Sequence, residues 1–517
     1  MISVLLPAVL VAACPAPHAV EDRPNVVVFI VDDMGWQDTS VPFHVDRTPF
    51  NDRYRTPNME RLADQGMKLT NGYASAPVCT PTRTSLMTGR APARNRITYW
   101  TLNRNADTSS RHEDLLPPAW NVNGLQPGDL TLSELLADRG YRTIHAGKAH
   151  WGTHDTAGGD PTKLGFEVNI AGHASGAPGS YYGKHRFKNA KSETDFSKDT
   201  KWDVPGLERF HDQDIYLTEA LQVRAVEEID RAVADDVPFY LHFAPYAVHT
   251  PIMPNRRYLE NYAELHPREA AYATMVESMD VALGEILDTL DRNGVAEDTI
   301  VIFTSDNGGL SAHARGGEAH THNKPLRSGK GSAYEGGVRV PWIIHWPGRT
   351  EPGSASAVPI VTQDLFPTIL AATGGMSGVP SGRTIDGLDL RPVLEGLAPD
   401  HFAERPIVFH QPHAWGPKGP GIQPYTAIRS GDWKLLYFHA NRRFELYDLS
   451  VDVAEANDLA AERPDVVRRL AELLGDWMRE AGAQMSIDRM TGDPVEWPDR
   501  VTLSSDASGN APNEVKP

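Results

Sequence analysis

The sequence predicts an α/β fold: a large mixed, mainly parallel sheet sandwiched by helices, followed by a smaller C-terminal subdomain of antiparallel sheet plus helix. Three observations point there. Two continuous β-branched apolar runs, Asn25–Val31 (NVVVFIV) and 298–304 (DTIVIFT), have the character of strands buried on both faces of a parallel sheet. Helix signals alternate with the strands, as in layered α/β domains. After Pro399 the pattern changes to short alternating strands and one amphipathic helix.

In chain order, Thr56-Pro57 opens a helix that Gly66 closes, and Thr131-Leu132-Ser133-Glu134 is a capping box for a segment ending at Gly140. Strands are predicted at 141–146 and 237–244, and longer helices at 212–234 and 266–293. The C-terminal pattern gives strands within 425–438 and 445–449, then a helix over Pro464–Ala481. The expected organisation is a signal segment at 1–21, a catalytic domain at 22–400, a subdomain at 401–490 and a partly disordered tail at 491–517.

A chain of 517 residues can bury a large core. It has two cysteines, Cys14 and Cys79. Cys14 falls in the export segment, an apolar run from Ile2 to Ala13, so the mature fold is expected to have no intrachain disulfide. Val11-Ala12-Ala13-Cys14 resembles a bacterial lipobox, which would anchor the protein through a lipid on Cys14, although no Lys or Arg precedes the run. The expected location is exported: periplasmic, cell-surface or secreted. A net charge of −18 argues against nucleic acid or an anionic membrane as partner, but an anionic substrate remains compatible with positive charge concentrated in a pocket.

The predicted strands end in chemically capable residues. They are Asp32-Asp33, Gly147-Lys148-Ala149-His150, the loop Tyr246 to Pro251 containing His249, and Ser305-Asp306-Asn307-Gly308. Ligands of open α/β sheets bind beyond the carboxyl ends of strands, so these ends can converge. A single Asp-Asp at a strand end is usually loop solvation or helix capping. Two acidic pairs on separate buried strands form an all-oxygen set, which suits Ca²⁺ or Mg²⁺. Lys148 and His150, two apart, would face the same side of an extended continuation. A basic turn carries Lys330.

Cys79-Thr80-Pro81-Thr82-Arg83 places a lone thiol at a predicted helix start, where unpaired N–H groups and Arg83 favour negative charge. An arbitrary free cysteine is often only a small buried hydrophobe. Six ordered motifs say more. Asp-Asp after the first strand, Cys-x-Pro-x-Arg, Gly-Lys-x-His, His249-Thr250-Pro251, Ser-Asp-Asn-Gly and the late Lys330 resemble, in order and from about residue 24 to 478, the type I sulfatases of the alkaline phosphatase superfamily. Gly147 to Gly152 lacks the Trp and Leu often found around the family's Lys and His, a departure confined to neighbouring packing.

The resemblance implies that a formylglycine-generating maturation enzyme converts Cys79 to Cα-formylglycine, whose hydrate attacks sulfur and later releases sulfate by collapse to the aldehyde. It implies Asp32, Asp33, Asp306, Asn307 and residue 79 as ligands of Ca²⁺, or of Mg²⁺, and Arg83, Lys148 and Lys330 as stabilisers of the nucleophile and sulfate oxygens. His150 would assist elimination and His249, with Lys330, would protonate the leaving alcohol. The expected function is sulfate ester hydrolysis on a sulfated glycan. The competing readings are a phosphonate or phosphate monoester hydrolase of the same superfamily and a catalytically silent glycan-binding homologue; the intact motif set weighs against the latter. Trp100, Tyr181, Tyr182, His173, His185, Arg186, His320 and His322 lie in polar, aromatic loops suited to a sugar, with Trp100, Tyr181, Tyr182 and His322 the expected contacts.

Overall fold

The computed structural model describes residues 23–312, 315–397 and 399–502. The signal segment, Cys14 and the tail beyond residue 502 lie outside them. No helix among the described residues is long and apolar enough to cross a membrane.

The main sheet has eight strands in the order Ser354–Ser356, Met67–Leu69, Trp342–His345, Thr299–Ser305, Asn25–Val31, Phe239–Ala244, Arg142–Gly147, Val168–Ile170. Only Trp342–His345 runs against its two neighbours. Asn25–Val31 sits between Thr299–Ser305 and Phe239–Ala244, parallel to both. Its alternation explains why it is apolar throughout. Val27, Phe29 and Val31 enter one core with Leu62, Leu221, Ile229 and Leu283 of the helices Pro57–Gln65, Leu217–Ala234 and Pro267–Arg292. Val26, Val28 and Ile30 enter the other with Leu86, Leu132 and Phe366 of Cys79–Thr88, Leu132–Ala137 and Leu365–Ala372. Each such side chain, once buried, contributes about 1.5–3 kcal/mol, so the central strand is committed to both layers.

The predicted boundaries move slightly. The capping box is made, with Thr131 Oγ1 accepting from Glu134 N and Glu134 Oε2 accepting from Thr131 N at 3.1 Å. The helix it starts ends at Ala137, three residues before Gly140. The 212–234 helix begins only at Leu217: Asp212 is left-handed (φ 64°), and Tyr216, extended (φ −90°, ψ 148°), bridges to Tyr182.

The C-terminal sheet has four antiparallel strands, Ile407–Gln411, Tyr425–Ser430, Trp433–Phe438 and Arg443–Asp448. The first was not foreseen, since its five residues carry no strong alternation. One face receives the helix Pro464–Ala481 through Leu470, Leu474 and Met478. The other packs Phe409, Leu436 and Phe438 on Tyr73, Tyr334 and Val338. At that second interface Lys434 is fully enclosed, its Nζ 2.9 Å from both Glu335 Oε1 and Glu455 Oε1.

Candidate active site

Register brings the acidic ends together. Val31 pairs with Ser305, so the two parallel strands release Asp32 and Asp306 side by side. Asp306 N donates to Val31 O at 3.0 Å, and Asp33 N to Asp306 Oδ1 at 3.2 Å. Asp33 turns into the left-handed region (φ 63°), which carries the chain away from the strand line immediately after the second carboxylate. On the other flank Asp32 N donates to Ala247 O and Val248 N to Asp32 O, tying in the loop that presents His249.

Lys148 follows Arg142–Gly147. Gly147 has φ 106° and approaches the next strand so closely that a Cβ would lie 2.0 Å from Ala244 O. Lys148 and His150 do not lie on an extended continuation, since His150 is itself left-handed (φ 55°). The two are nonetheless brought together by this turn, both buried. Lys148 Nζ reaches Asp32 Oδ2 at 2.7 Å and lies 3.8 Å from Asp306 Oδ2.

Cys79 is the first residue of the helix Cys79–Thr88, after Val78 as N-cap. Its Sγ is 3.7 Å from Asp32 Oδ1 and 3.6 Å from Lys330 Nζ. Arg83, one turn on, shares the same helix face. Its Nε donates to Asp306 Oδ2 at 2.7 Å and its Nη1 to Lys148 O at 2.8 Å, while the buried Nη2 has no partner. Lys330 Nζ lies 2.6 and 2.8 Å from the two oxygens of Asp33. Three carboxylates therefore face three cations in a buried shell.

The electrostatics follow from that enclosure. Burial raises Asp32 well above the ordinary carboxylate range against the pull of Lys148, whereas at Asp33 burial is overcome by Lys330, His249 and Lys148, and the carboxyl is held low. The helix N-terminus does not make the thiol anionic: burial dominates and pushes Cys79 up to about 12, despite Lys148 and Lys330. His249 falls to about 3 through burial and Lys330. Its Nδ1 meets Thr250 O at 2.8 Å, so the neutral ring carries its proton there and turns a bare Nε2 toward Asp33 Oδ2, 3.6 Å away. His150, lowered by burial and by Lys148, donates from Nε2 to Thr101 O at 2.8 Å and leaves a buried Nδ1 without a partner.

The oxygen donors of Asp32, Asp33 and Asn307 are of the kind a hard divalent cation takes. Donor atoms of Asp32, Asp33, Cys79 and His249 all lie within 4.8 Å of one another. Asn307 spends its Nδ2 on Asp33 Oδ1 and Gly308 O, and its buried Oδ1 has no hydrogen-bond partner, as expected of a carbonyl oxygen suited to a metal.

Comparison with known proteins agrees with this geometry. The family profile described as Sulfatase matches residues 24–376, and one described as N-sulphoglucosamine sulphohydrolase, C-terminal, matches 329–480. The chain belongs to the sulfatase family. It is 32% identical over 413 residues to the N-acetylgalactosamine-6-sulfatase of Canis lupus familiaris, covering 78% of this chain and 71% of that one. It is 28% identical over 543 residues to a sulfatase of Formosa agariphila, covering 96% of each. The crystal structure of Ps i-CgsB, also solved in complex with k-i-k-neocarrahexaose, superposes with a TM-score of 0.72 at 26% identity, over 88% of this chain and 93% of that one. This sulfatase is a sulfate ester hydrolase.

The sugar-facing expectations fare unevenly in this sulfatase. Trp100 is half-buried beside Thr101, the residue that accepts from His150 and whose N donates to Thr80 Oγ1 at 3.2 Å. Tyr181 is not a sugar contact: it is fully enclosed, its hydroxyl donating to Tyr246 O at 2.6 Å and His249 O at 2.9 Å, and so it fixes the His249 loop. Tyr182 is also committed elsewhere, its hydroxyl to Pro254 O at 2.8 Å and its ring under Arg256. His322 is buried beside the enclosed Arg315, with Nε2 bonded to Gly316 O at 2.7 Å. His185 is held by Ser180 Oγ, Arg186 by Asp212, and His173 packs on Tyr246 with its carbonyl accepting from His150 N.

Sequence reasoning missed the support behind the acidic turn. Asp38 Oδ2 accepts from Gly35 N, Tyr272 Oη and Arg315 Nη1 at 2.9, 2.6 and 2.9 Å, locking the turn after Asp33 to the segment that leads to Lys330. The partners are 234 and 277 residues from Asp38, and no local pattern links them.

Proposed function

We propose that this sulfatase removes sulfate from a saccharide, using formylglycine at position 79 and a divalent ion, Ca²⁺ or Mg²⁺, held by Asp32, Asp33, Asp306, Asn307 and residue 79. The observation that carries the reading is the Cys79 side chain at a helix start, 3.6–3.7 Å from Lys330 and Asp32, in a shell where carboxylates and cations cancel. When present, the ion and the formylglycine hydrate supply the Lewis acid and the nucleophilic oxygen.

The remaining work belongs to the chain. Arg83, through its unpartnered Nη2, and Lys148 hold negative charge at the nucleophile. His150, neutral with a free Nδ1, accepts a proton there. His249 turns Nε2 toward the site; a proton taken there, with Lys330 as the adjacent ammonium, passes to the departing alcohol oxygen.

Charge counting favours sulfate. A divalent cation is balanced by one anionic nucleophile oxygen and one monoanionic sulfate ester, whereas a phosphate monoester dianion leaves an uncompensated negative charge in a buried shell. The saccharide reading rests on the relatives, one named for N-acetylgalactosamine 6-sulfate and one solved with k-i-k-neocarrahexaose. The signal-like segment supports an exported enzyme, lipid-anchored if Cys14 is modified, and Cys79-Thr80-Pro81-Thr82-Arg83 supports a maturation enzyme as partner.

The test is kcat/KM on matched aryl sulfate and aryl phosphate, with sulfate release from N-acetylgalactosamine 6-sulfate and k-i-k-neocarrahexaose. Sulfate esters are expected to be preferred. A phosphate preference of about tenfold, roughly 1.4 kcal/mol, reassigns the enzyme as a phosphohydrolase. Separately, Asp306→Ala is expected to lower bound metal and to reduce kcat about 100-fold or more, since a metal in this role stabilises the transition state by several kcal/mol. Elemental analysis alongside turnover checks it, and full occupancy at full rate removes Asp306 from the ligand set.

A further inference from the structure

The C-terminal subdomain delivers an aromatic side chain to the nucleophile's side of the molecule. The segment following Ile407–Gln411 is tied to the catalytic domain by Ala414 O, which accepts from Ser110 N at 2.9 Å and Tyr99 Oη at 3.1 Å, and by His413 stacked on Tyr99 at 4.9 Å. The next residue, Trp415, is half-buried. Its ring lies so close to Gly331 that a Cβ there would sit 2.1 Å from Trp415 Cε3, and Gly331 has φ 83°. Gly331 directly follows Lys330, whose Nζ is 3.6 Å from Cys79 Sγ.

Trp100 comes from the opposite subdomain and packs on the same small cluster of Val78, Tyr99 and Trp120 as Trp415 does. Val78 caps the helix that begins at Cys79. Two half-buried indoles, one from each subdomain, thus stand beside the helix start that carries the nucleophile. Each indole keeps part of its surface exposed beside the site, where a ligand can cover it. An indole is flat and stiff, presents a large apolar face and loses little entropy when it is covered. That face matches the C–H face of a pyranose ring while leaving its hydroxyls free for polar partners.

We propose that Trp415 is a specificity-determining residue which, with Trp100, stacks on the pyranose ring of the saccharide whose sulfate ester lies at residue 79. This rests on the saccharide sulfatase reading. The experiment uses matured full-length protein and its Trp415→Ala and Trp415→Phe variants, with N-acetylgalactosamine 6-sulfate, k-i-k-neocarrahexaose and 4-nitrophenyl sulfate as substrates. For the saccharide the parent cleaves best, Trp415→Ala is expected to raise KM about tenfold or more, with a smaller change in kcat, and to lower the saccharide to aryl sulfate ratio of kcat/KM by a similar factor. Trp415→Phe, which keeps a flat ring and the packing on Gly331, is expected to recover most of that ratio.

Equal losses on saccharide and aryl sulfate overturn the proposal, because they make Trp415 a mere support for the Lys330 turn. An unchanged KM in Trp415→Ala overturns it as well. A parent enzyme that cleaves the aryl sulfate and neither saccharide refutes the stacking role but keeps the hydrolase. A parent that releases sulfate from none of the three refutes the underlying function.

Discussion

Cys79→Ala is expected to lower sulfate release by about 10⁴-fold or more, the scale seen when an acting nucleophile is removed, while the protein stays folded. The thiol makes only long contacts, 3.7 Å to Asp32 and 3.6 Å to Lys330, so its loss leaves the shell of carboxylates and cations paired. Truncating such a small buried group costs on the order of 1–2 kcal/mol. The same reasoning applies to the unmodified protein. With the thiol pushed up to about 12 by burial, on the order of one molecule in 10⁵ carries a thiolate near neutral pH. Protein made without a maturation enzyme is therefore expected to be as inactive as Cys79→Ala, and co-production with that enzyme to restore turnover as peptide mass spectrometry detects the aldehyde. Substantial activity in Cys79→Ala removes residue 79 from the mechanism.

The second large effect concerns stability. Lys434→Met is expected to destabilise the fold by about 3–5 kcal/mol, because removing one member of a buried ion cluster strands the charges it served. Lys434 Nζ donates to Glu335 Oε1 at 2.9 Å; it is equally near Glu455 Oε1, but not in hydrogen-bonding alignment. Glu335 also accepts from Tyr73 Oη at 2.7 Å and pairs with Arg339, whereas Glu455 accepts a backbone bond from Glu335 N at 2.6 Å. The two carboxylates consequently titrate apart. Burial, outweighed by Lys434 and Arg339, leaves Glu335 at about 2, while burial, against Lys434 and with Glu335 adding, pushes Glu455 up to about 7.

A carboxyl whose folded value exceeds its unfolded one stabilises the fold fully below the unfolded value of about 4.5 and loses that contribution as pH rises through about 7. Glu455→Gln, a fixed mimic of the protonated acid, is therefore expected to gain stability relative to the parent between pH 5 and pH 8. Denaturant unfolding at both pH values measures this shift together with the Lys434→Met loss. A Lys434→Met loss below about 1 kcal/mol means that the cluster relaxes to water on substitution.

By itself the sequence determined the layers and the list of reactive residues. Asn25–Val31 and 298–304 announce doubly buried strands because every position after the polar first residue, Asn25 or Asp298, is apolar or β-branched, and Thr131 to Glu134 and Pro464–Ala481 announce helices through capping chemistry and period. The same strands end in Asp32-Asp33 and Asp306-Asn307, so the acidic half of the site was legible wherever a strong local pattern ran into a polar terminus. Local pattern could not say which loop residues face a ligand. Tyr181, Tyr182 and His322 have the composition of sugar contacts, yet each places its polar atom on a backbone carbonyl, and that choice depends on which distant loop happens to pack alongside. The tertiary structure alone decided the thiol's protonation, because burial outweighs the helix start and the lysines around it. It alone decided the pairing of Val31 with Ser305, which turns two acidic strand ends into one site. It also decided that Trp415, 336 residues after Cys79 in the chain, stands against Gly331 at the nucleophile's side. Charge, burial and register between remote segments are sums over neighbours in space, and a linear pattern carries only the neighbours in the chain.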